Sequence, residues 1–487
     1  MRRHEDGEIF QNMQPLTAMP QPQRNTLSFP HAVALVISAL AGLIALTRPL
    51  AAHFPDQALP HADATLAVLI FTVGMWVCSV FPEALTTLIF FCIMMLGKLA
   101  PASTVFAGFT SSAFWLVFAG LILGLAVRES GLGNRIADWL GRLCRGSYFT
   151  TVSAMVGFGL VMSFLMPSAM GRVILMMPIL STFAEKKGYL PGSRGGSGIL
   201  LAGAASTLLP AFTILPSNVG NMVLVGTMEA LYGTVPTYGQ YMLMNFPIMG
   251  LLKLVAITLL ATALFREAPG QIPEERASLP PISRAERRLM LLLCAALLMW
   301  MTDAFHGISP AWVGLTAAVI CLLPGTHLLA EGAFSRIGFA PLFYVAGVIG
   351  VSATVQAYDF GSLGAGAVLN TFPLTPGDTA WNYSVLSGVG IFANLLATSA
   401  GVPAVMSPMA GKLADASGLP LMTVLMTQVI GFSTVLLPYE TPAIVVAAHI
   451  SNVPTRTVNT YYAILFIVTV LLLLPLNYLW WGLIGAL

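Results

Sequence analysis

Apolar runs of about 20 residues follow one another along almost the whole chain, and several are broken from within by proline rather than bounded by it. A run of that length matches the hydrocarbon core of a bilayer crossed as a helix. Proline inside such a span is tolerated only where the freed backbone groups are buried in protein or line a cavity. The 32 prolines and 45 glycines therefore point to broken helices, and broken helices point to where function sits. Only 9% of the 487 residues are charged and 57% are hydrophobic, against roughly 25% charged in a soluble domain, so the chain reads as an integral membrane protein.

Several function classes fall away at once. The net charge of +2 and the lack of a basic run interleaved with aromatics argue for no nucleic acid partner. Cys78, Cys92, Cys144, Cys294 and Cys321 are scattered without a C-x-x-C pair, which supports neither a disulfide framework nor a zinc site.

Spans are expected near 32–48, 64–80, 84–99, 113–127, 148–183, 198–228, 241–265, 289–305, 309–325, 341–357, 382–411, 421–448 and 461–485, with a charged connector at 128–146. Lysine and arginine set the orientation. If the N-terminus is cytoplasmic and 148–183 and 382–411 each enter and leave on one side, the outer loops carry only Arg48, Lys98 and Lys412. The reading is an all-α polytopic membrane protein with about 11 transmembrane helices plus two re-entrant hairpins. It places the chain in a bacterial inner (plasma) membrane with the C-terminus outside.

At one constant offset Leu165 falls on Leu395, Gly171 on Gly401, Met176 on Met406, Pro178 on Pro408, Ala184 on Ala414 and Gly188 on Gly418. The two copies enter from opposite sides, which is an inverted-topology repeat. The units are a disordered cytoplasmic tail, 1–30, a first repeat, 31–265, a cytoplasmic linker, 266–288, and a second repeat, 289–487. Each hairpin, 148–183 or 382–411, is followed by an overlong apolar segment, 198–228 or 421–448. The first is interrupted at Pro210 and Pro216-Ser217-Asn218, the second at Pro438-Tyr439-Glu440-Thr441-Pro442. Half-helices joined by an unwound turn offer carbonyls to a cation and N-termini to an anion.

The sharpest chemistry is in Ser168-Ala169-Met170-Gly171-Arg172. An arginine at bilayer depth is costly, so its expected partner is an anion. Ser168, Ala169 and Gly171 let a hairpin tip approach a ligand closely, or simply pack helices. Asn218 is a ligand-binding amide or a helix cap, and Thr398 and Ser399 are tip hydroxyls or groups bonding back to their own helix. Glu440 can pair with Arg172, coordinate a cation or carry a proton. Lys253 serves the pathway or reaches an interface. Asp303 and His306 are expected in solvent at a helix end, and Tyr439 and Asn394 behind the ligand-contacting groups.

These motifs resemble the divalent anion/sodium symporter family, the di- and tricarboxylate and sulfate carriers, from about residue 35 to the end. The family's Ser-Asn-Thr tip, ten residues before a proline, falls on Ser168-Ala169-Met170 and on Thr398-Ser399-Ala400. Its Thr-Pro-Pro-Asn turn falls on Leu215-Pro216-Ser217-Asn218 and on Thr441-Pro442-Ala443-Ile444. Arg172 parallels the Ser-Asn-Thr-Ala-Arg of the exchanger-like branch. The resemblance implies substrate binding by Ser168, Ala169, Gly171, Arg172, Asn218, Thr398, Ser399, Thr441 and Pro442. It implies coupling-ion contacts from Ser168, Leu215, Pro216, Asn218, Thr398, Ser399 and Thr441, to which the cation-coordinating reading of the residue adds Glu440, and a homodimer in the lipid bilayer. No cofactor is expected beyond sodium as one candidate coupling ion.

The expected function is a secondary active transporter moving a small anion, a di- or tricarboxylate or a sulfate-like ion, by alternating access. Coupling to sodium, to protons or to a counter-anion stays open at this stage. A cation/proton antiporter or metalloid permease is the alternative within transport. A membrane-embedded serine hydrolase would need a base beside its nucleophile, and only His449 lies near the end of a broken helix, so the chain is expected not to be an enzyme.

Overall fold

The computed structural model describes residues 29–47, 61–78, 80–142, 146–270, 281–396 and 398–487. The expected tail up to residue 28 and linker residues 271–280 lie outside these. Among the described residues all regular structure is helical. Among the described residues six helices are long and apolar enough to cross a membrane, among them Ser112–Ser130, Tyr148–Leu165 and Ala340–Ala357, and shorter apolar helices such as Glu83–Leu96 and Pro310–Leu322 accompany them. The protein is an integral membrane protein.

Eight helices build the region of interest. In chain order they are α1 (Tyr148–Leu165), α2 (Ala169–Lys186), α3 (Arg194–Leu208), α4 (Val219–Tyr232), α5 (Thr379–Leu396), α6 (Ala410–Ser417), α7 (Leu421–Ser433) and α8 (Pro442–Ser451). Each expected break is present and has a local cause. The chain is extended at Met166 and Ser168, and Ser168 caps α2 by accepting from Gly171 N at 3.2 Å. Between α3 and α4 lie two short 3₁₀ turns, Pro210–Thr213 and Leu215–Ser217, each with proline in its first positions. Between α7 and α8 the chain unwinds until the 3₁₀ turn Pro438–Glu440. Proline has no N–H to continue a helix, so the preceding turn must find other donors.

Two expected boundaries move. The charged connector 128–146 folds in part as the helix Leu132–Arg142. The helix expected from 289 begins at Arg284, started by a capping box between Ser283 and Glu286, so the end of the expected linker is helical.

Helix α3 is the packing centre, with Gly195 to Leu208 buried throughout. Close approach makes this possible: a Cβ on Gly159 of α1 would stand 2.1 Å from Ser206 Oγ on α3. Helices α5 and α7 meet the same way, with a Cβ on Gly431 falling 2.6 Å from the Gly390 backbone. Such interfaces let backbones touch in a membrane, where there is no hydrophobic drive between helices.

Both arms that carry the tips close at their far ends. Tyr148, opening α1, stacks edge-on against Tyr189 just past α2, ring centroids 5.3 Å apart. Asn382 near the start of α5 donates to the Ser417 carbonyl at the end of α6 (3.0 Å).

Candidate functional site

The first broken span is held by side chains reaching its backbone. Arg172, in the first turn of α2, is fully buried. Its Nη1 donates to Met166 O (2.5 Å) and Ser217 O (2.8 Å), its Nη2 to Thr207 O (3.0 Å) and its Nε to Thr207 Oγ1 (3.1 Å). Four of its five N–H groups are thus engaged. One guanidinium ties the tip at Met166 to the last turn of α3 and to the turn before α4. Ser217 Oγ donates to the Ser163 carbonyl, closing the same joint from α1. Asn221 Nδ2 donates to Ala211 O and Ile214 O at 2.9 and 2.8 Å, and Tyr241 OH to Phe212 O at 2.8 Å. Freed carbonyls in a buried break need such partners.

The second break is organised around Glu440, also fully buried. Its Oε1 accepts from Leu436 N (3.1 Å) and Leu437 N (2.6 Å), and its Oε2 from Asn394 Nδ2 (2.5 Å). Its backbone carbonyl accepts from Ser399 N (2.9 Å) and Ser399 Oγ (3.0 Å). Ser399 Oγ also shares a hydrogen bond with Thr441 Oγ1 at 3.0 Å. Glu440 therefore fastens the second tip on both sides, through Asn394 before it and Ser399 within it.

Arg172 and Glu440 do not pair: each is engaged in its own joint, and among the described residues neither meets an opposite charge. The joints nonetheless interlock. Helix α2 packs along α8, and α4 approaches the second tip so closely that a Cβ on Gly220 would lie 3.3 Å from Ser399 O.

Asn218 lies in this junction. It is extended at the N-cap position of α4, makes no side-chain cap bond, and its Nδ2 is buried without a partner. A buried amide donor left open beside a half-helix N-terminus is what an anionic group would complete. The other expected residues sort by position. Ser168 is engaged in capping, with Ala169 and Gly171 beside it; Leu215 and Pro216 are buried in the turn; Thr398 is half-buried at the tip; Pro442 opens α8. Thr207, Asn221 and Tyr241 were not singled out in the sequence, although an asparagine one turn past a Pro-Ser-Asn break is a usable signal for the second of them.

Three outlying residues differ in setting. Asp303 is buried rather than in solvent, and its Oδ2 accepts from Tyr238 N at 2.5 Å. Tyr439 is half exposed and donates to Leu395 O (2.6 Å). Lys253 does not reach an interface: it is fully buried, with Nζ 2.9 Å from Ser433 O. Among the described residues no group of three or more His, Cys, Asp or Glu could hold a metal ion.

Two broken spans meeting two arm tips at a buried, partly unsatisfied polar junction is the layout of a secondary transporter. The chain belongs to the sodium:sulfate symporter family, whose transmembrane-region model matches residues 31–487, and it is a secondary transporter of anions. A membrane protein of Cupriavidus necator is 26% identical over 311 residues, a match spanning 58% of this chain and 60% of that relative. The L-tartrate/succinate antiporter of Escherichia coli K12 is 23% identical over 393 residues, 77% of this chain and 79% of that protein. In fold the chain is similar to the Alcanivorax borkumensis YdaH transporter, with a TM-score of 0.54 and 17% identity over 93% of this chain and 97% of that one. It is similar also to Neisseria gonorrhoeae MtrF, with a TM-score of 0.53 and 12% identity over 94% and 96% of the two chains.

Proposed function

We propose that this protein exchanges small dicarboxylates across a bacterial inner membrane without sodium. The observation that carries the reading is the position of Arg172. Carbonyls of a tip and a broken span are the groups a carrier would offer to a coupling sodium. Here Met166 O, Thr207 O and Ser217 O already accept from a guanidinium fixed to the chain. A permanent charge cannot leave with each cycle, so it serves exchange of one anion for another rather than symport with a dissolved cation. The L-tartrate/succinate antiporters among its relatives supply the substrate class. Asn218, the α4 N-terminus and the Ser399–Thr441 hydroxyls form the anion's berth, with Thr398 and Pro442 bordering it.

The closed arm ends support a finer architecture. Tyr148 against Tyr189 and Asn382 against Ser417 bring both ends of each arm together, as a re-entrant hairpin requires. With two such hairpins the loop charges favour about 11 spans, an N-terminus in the cytoplasm and a C-terminus outside. A homodimer in which the hairpins move against a fixed scaffold completes the proposal.

The test is uptake of labelled succinate by purified protein in proteoliposomes. Uptake against trapped succinate or L-tartrate, equal with and without sodium, is the expected result. Uptake that appears only under an inward sodium gradient overturns it.

A further inference from the structure

The first broken span is closed by Arg172, and the second has a counterpart that the anion site does not use. Lys253 follows a π-helical stretch, Phe246–Leu252, and its ammonium donates to the carbonyl of Ser433, the last residue of α7. Arg172 makes the matching contact on the first span, since Thr207 lies in the last turn of α3. In each span, then, the half-helix before the break ends on a buried side-chain cation. A helix C-terminus carries partial negative charge and unpaired carbonyls, and at a break inside the membrane both need a cation.

Nothing else on the surrounding elements supplies charge compensation. Helix α1, the segment Arg194–Thr213 and the segment Thr455–Leu483 pack against the span of Lys253, α7 meets its ammonium at Ser433, and none of them contains Asp or Glu. Their ionisable groups are Tyr148, Arg194, Arg456, Tyr461, Tyr462 and Tyr478. A buried lysine with no Asp or Glu on the helices packed around it, yet set on a half-helix terminus, is costly unless that terminus is its counter-charge.

We propose that Lys253 is the built-in cation of the second broken span, a positioning residue that holds α7 in the geometry needed for transport and replaces an ion taken from solution. The inference rests on the exchange reading and extends it to the second span. Removing the ammonium leaves an open cation site at Ser433 that small cations can fill.

The experiment is succinate counterflow in proteoliposomes by the full-length protein and by Lys253→Ala, Lys253→Met and Lys253→Arg, with and without added sodium or methylammonium. Wild-type counterflow indifferent to both additions is expected, with Lys253→Ala slowed about tenfold or more by the unpaired carbonyl and recovering when either cation is added. Lys253→Met fills the space without the charge, so it should be slow and beyond rescue. Lys253→Arg should keep most of the activity.

Lys253→Ala working at the wild-type rate in the absence of both cations overturns the proposal. So does a slow, correctly inserted Lys253→Ala that neither cation restores, because the lysine would then be a packing group. Failure of the wild-type protein to show any counterflow would instead defeat the exchange reading, which separates the two.

Discussion

Arg172 of the first arm donates to the backbone carbonyl of Ser217 in the first broken span, 2.8 Å away, across 45 residues of sequence. The charge expected to hold a substrate is therefore part of the frame that holds the site. On the exchange reading, its contribution to anion binding would be the field of a fixed cation beside Ser217 and Asn218, not a direct clamp.

Replacing Arg172 should accordingly damage the fold as well as the transport. Arg172→Ala leaves the carbonyls of Met166 and Ser217 without this donor, at about 1–3 kcal/mol for each buried carbonyl left unpaired, while the Thr207 carbonyl keeps Ser163 Oγ at 3.1 Å. The expected outcome is a thermal midpoint several degrees lower in detergent together with loss of uptake. Arg172→Lys, which cannot fork to several acceptors, should fall between. A variant as stable as the wild type and inactive would restore the direct-clamp role.

Asn218→Ala should behave in the opposite way. The Asn218 Nδ2 has no protein partner, so truncation breaks no hydrogen bond of that group in the folded state. A hydrogen bond to a charged ligand is worth about 1.5–3 kcal/mol, so KM for the anion should rise about tenfold or more with the midpoint unchanged. Unaltered KM in a transport assay would place the substrate elsewhere.

Glu440→Ala and Glu440→Gln should separate. Alanine abandons Leu436 N, Leu437 N and Asn394 at once. Glutamine keeps an oxygen for the two backbone donors, and Asn394, whose Oδ1 has no partner, can turn over to accept from the new amide. Thermal melts should show Glu440→Gln near the wild type and Glu440→Ala well below it. Equal loss in both would mean that the negative charge itself is required.

A pH effect on stability is expected at a polar end of the protein. Arg135 Nε lies 2.5 Å from Glu286 Oε1, and this pairing holds the Glu286 carboxyl down to about 2, from an ordinary value of 4.5. A group depressed on folding stabilises fully above its unfolded value and loses that contribution as pH falls through the folded one. The midpoint difference between the wild type and Glu286→Gln should be largest above pH 4.5 and shrink as the pH falls from there towards 2. A difference that grows on acidification would contradict the assignment.

The breaks were legible because proline acts locally: Pro210, Pro216, Pro438 and Pro442 mark them wherever the rest of the chain goes. The tips were legible for a similar reason, since small residues and hydroxyls in an apolar run have few uses. What Arg172 holds was not legible. Its partners are main-chain carbonyls, which every residue carries and no residue type advertises. Asp303 misled for the converse reason. Its neighbours in sequence, Thr302 and His306, suit a surface turn, but the Tyr238 amide it accepts from lies 65 residues away. Tyr241, which binds the first break together with Asn221, looks like an ordinary helix residue until the break folds back against it.

The π-helical stretch Phe246–Leu252 takes up one surplus residue without turning the side chains that follow it. An α-helix advances about 100° per residue, and a π turn holds one residue more than its α equivalent. Deleting a single residue between Phe246 and Leu252 would wind the segment back to an ordinary helix. Because the wide turn already absorbs the extra residue, Lys253 would keep its direction towards Ser433. A codon can thus be gained or lost at this turn without moving the lysine, a tolerance that an uninterrupted α-helix lacks.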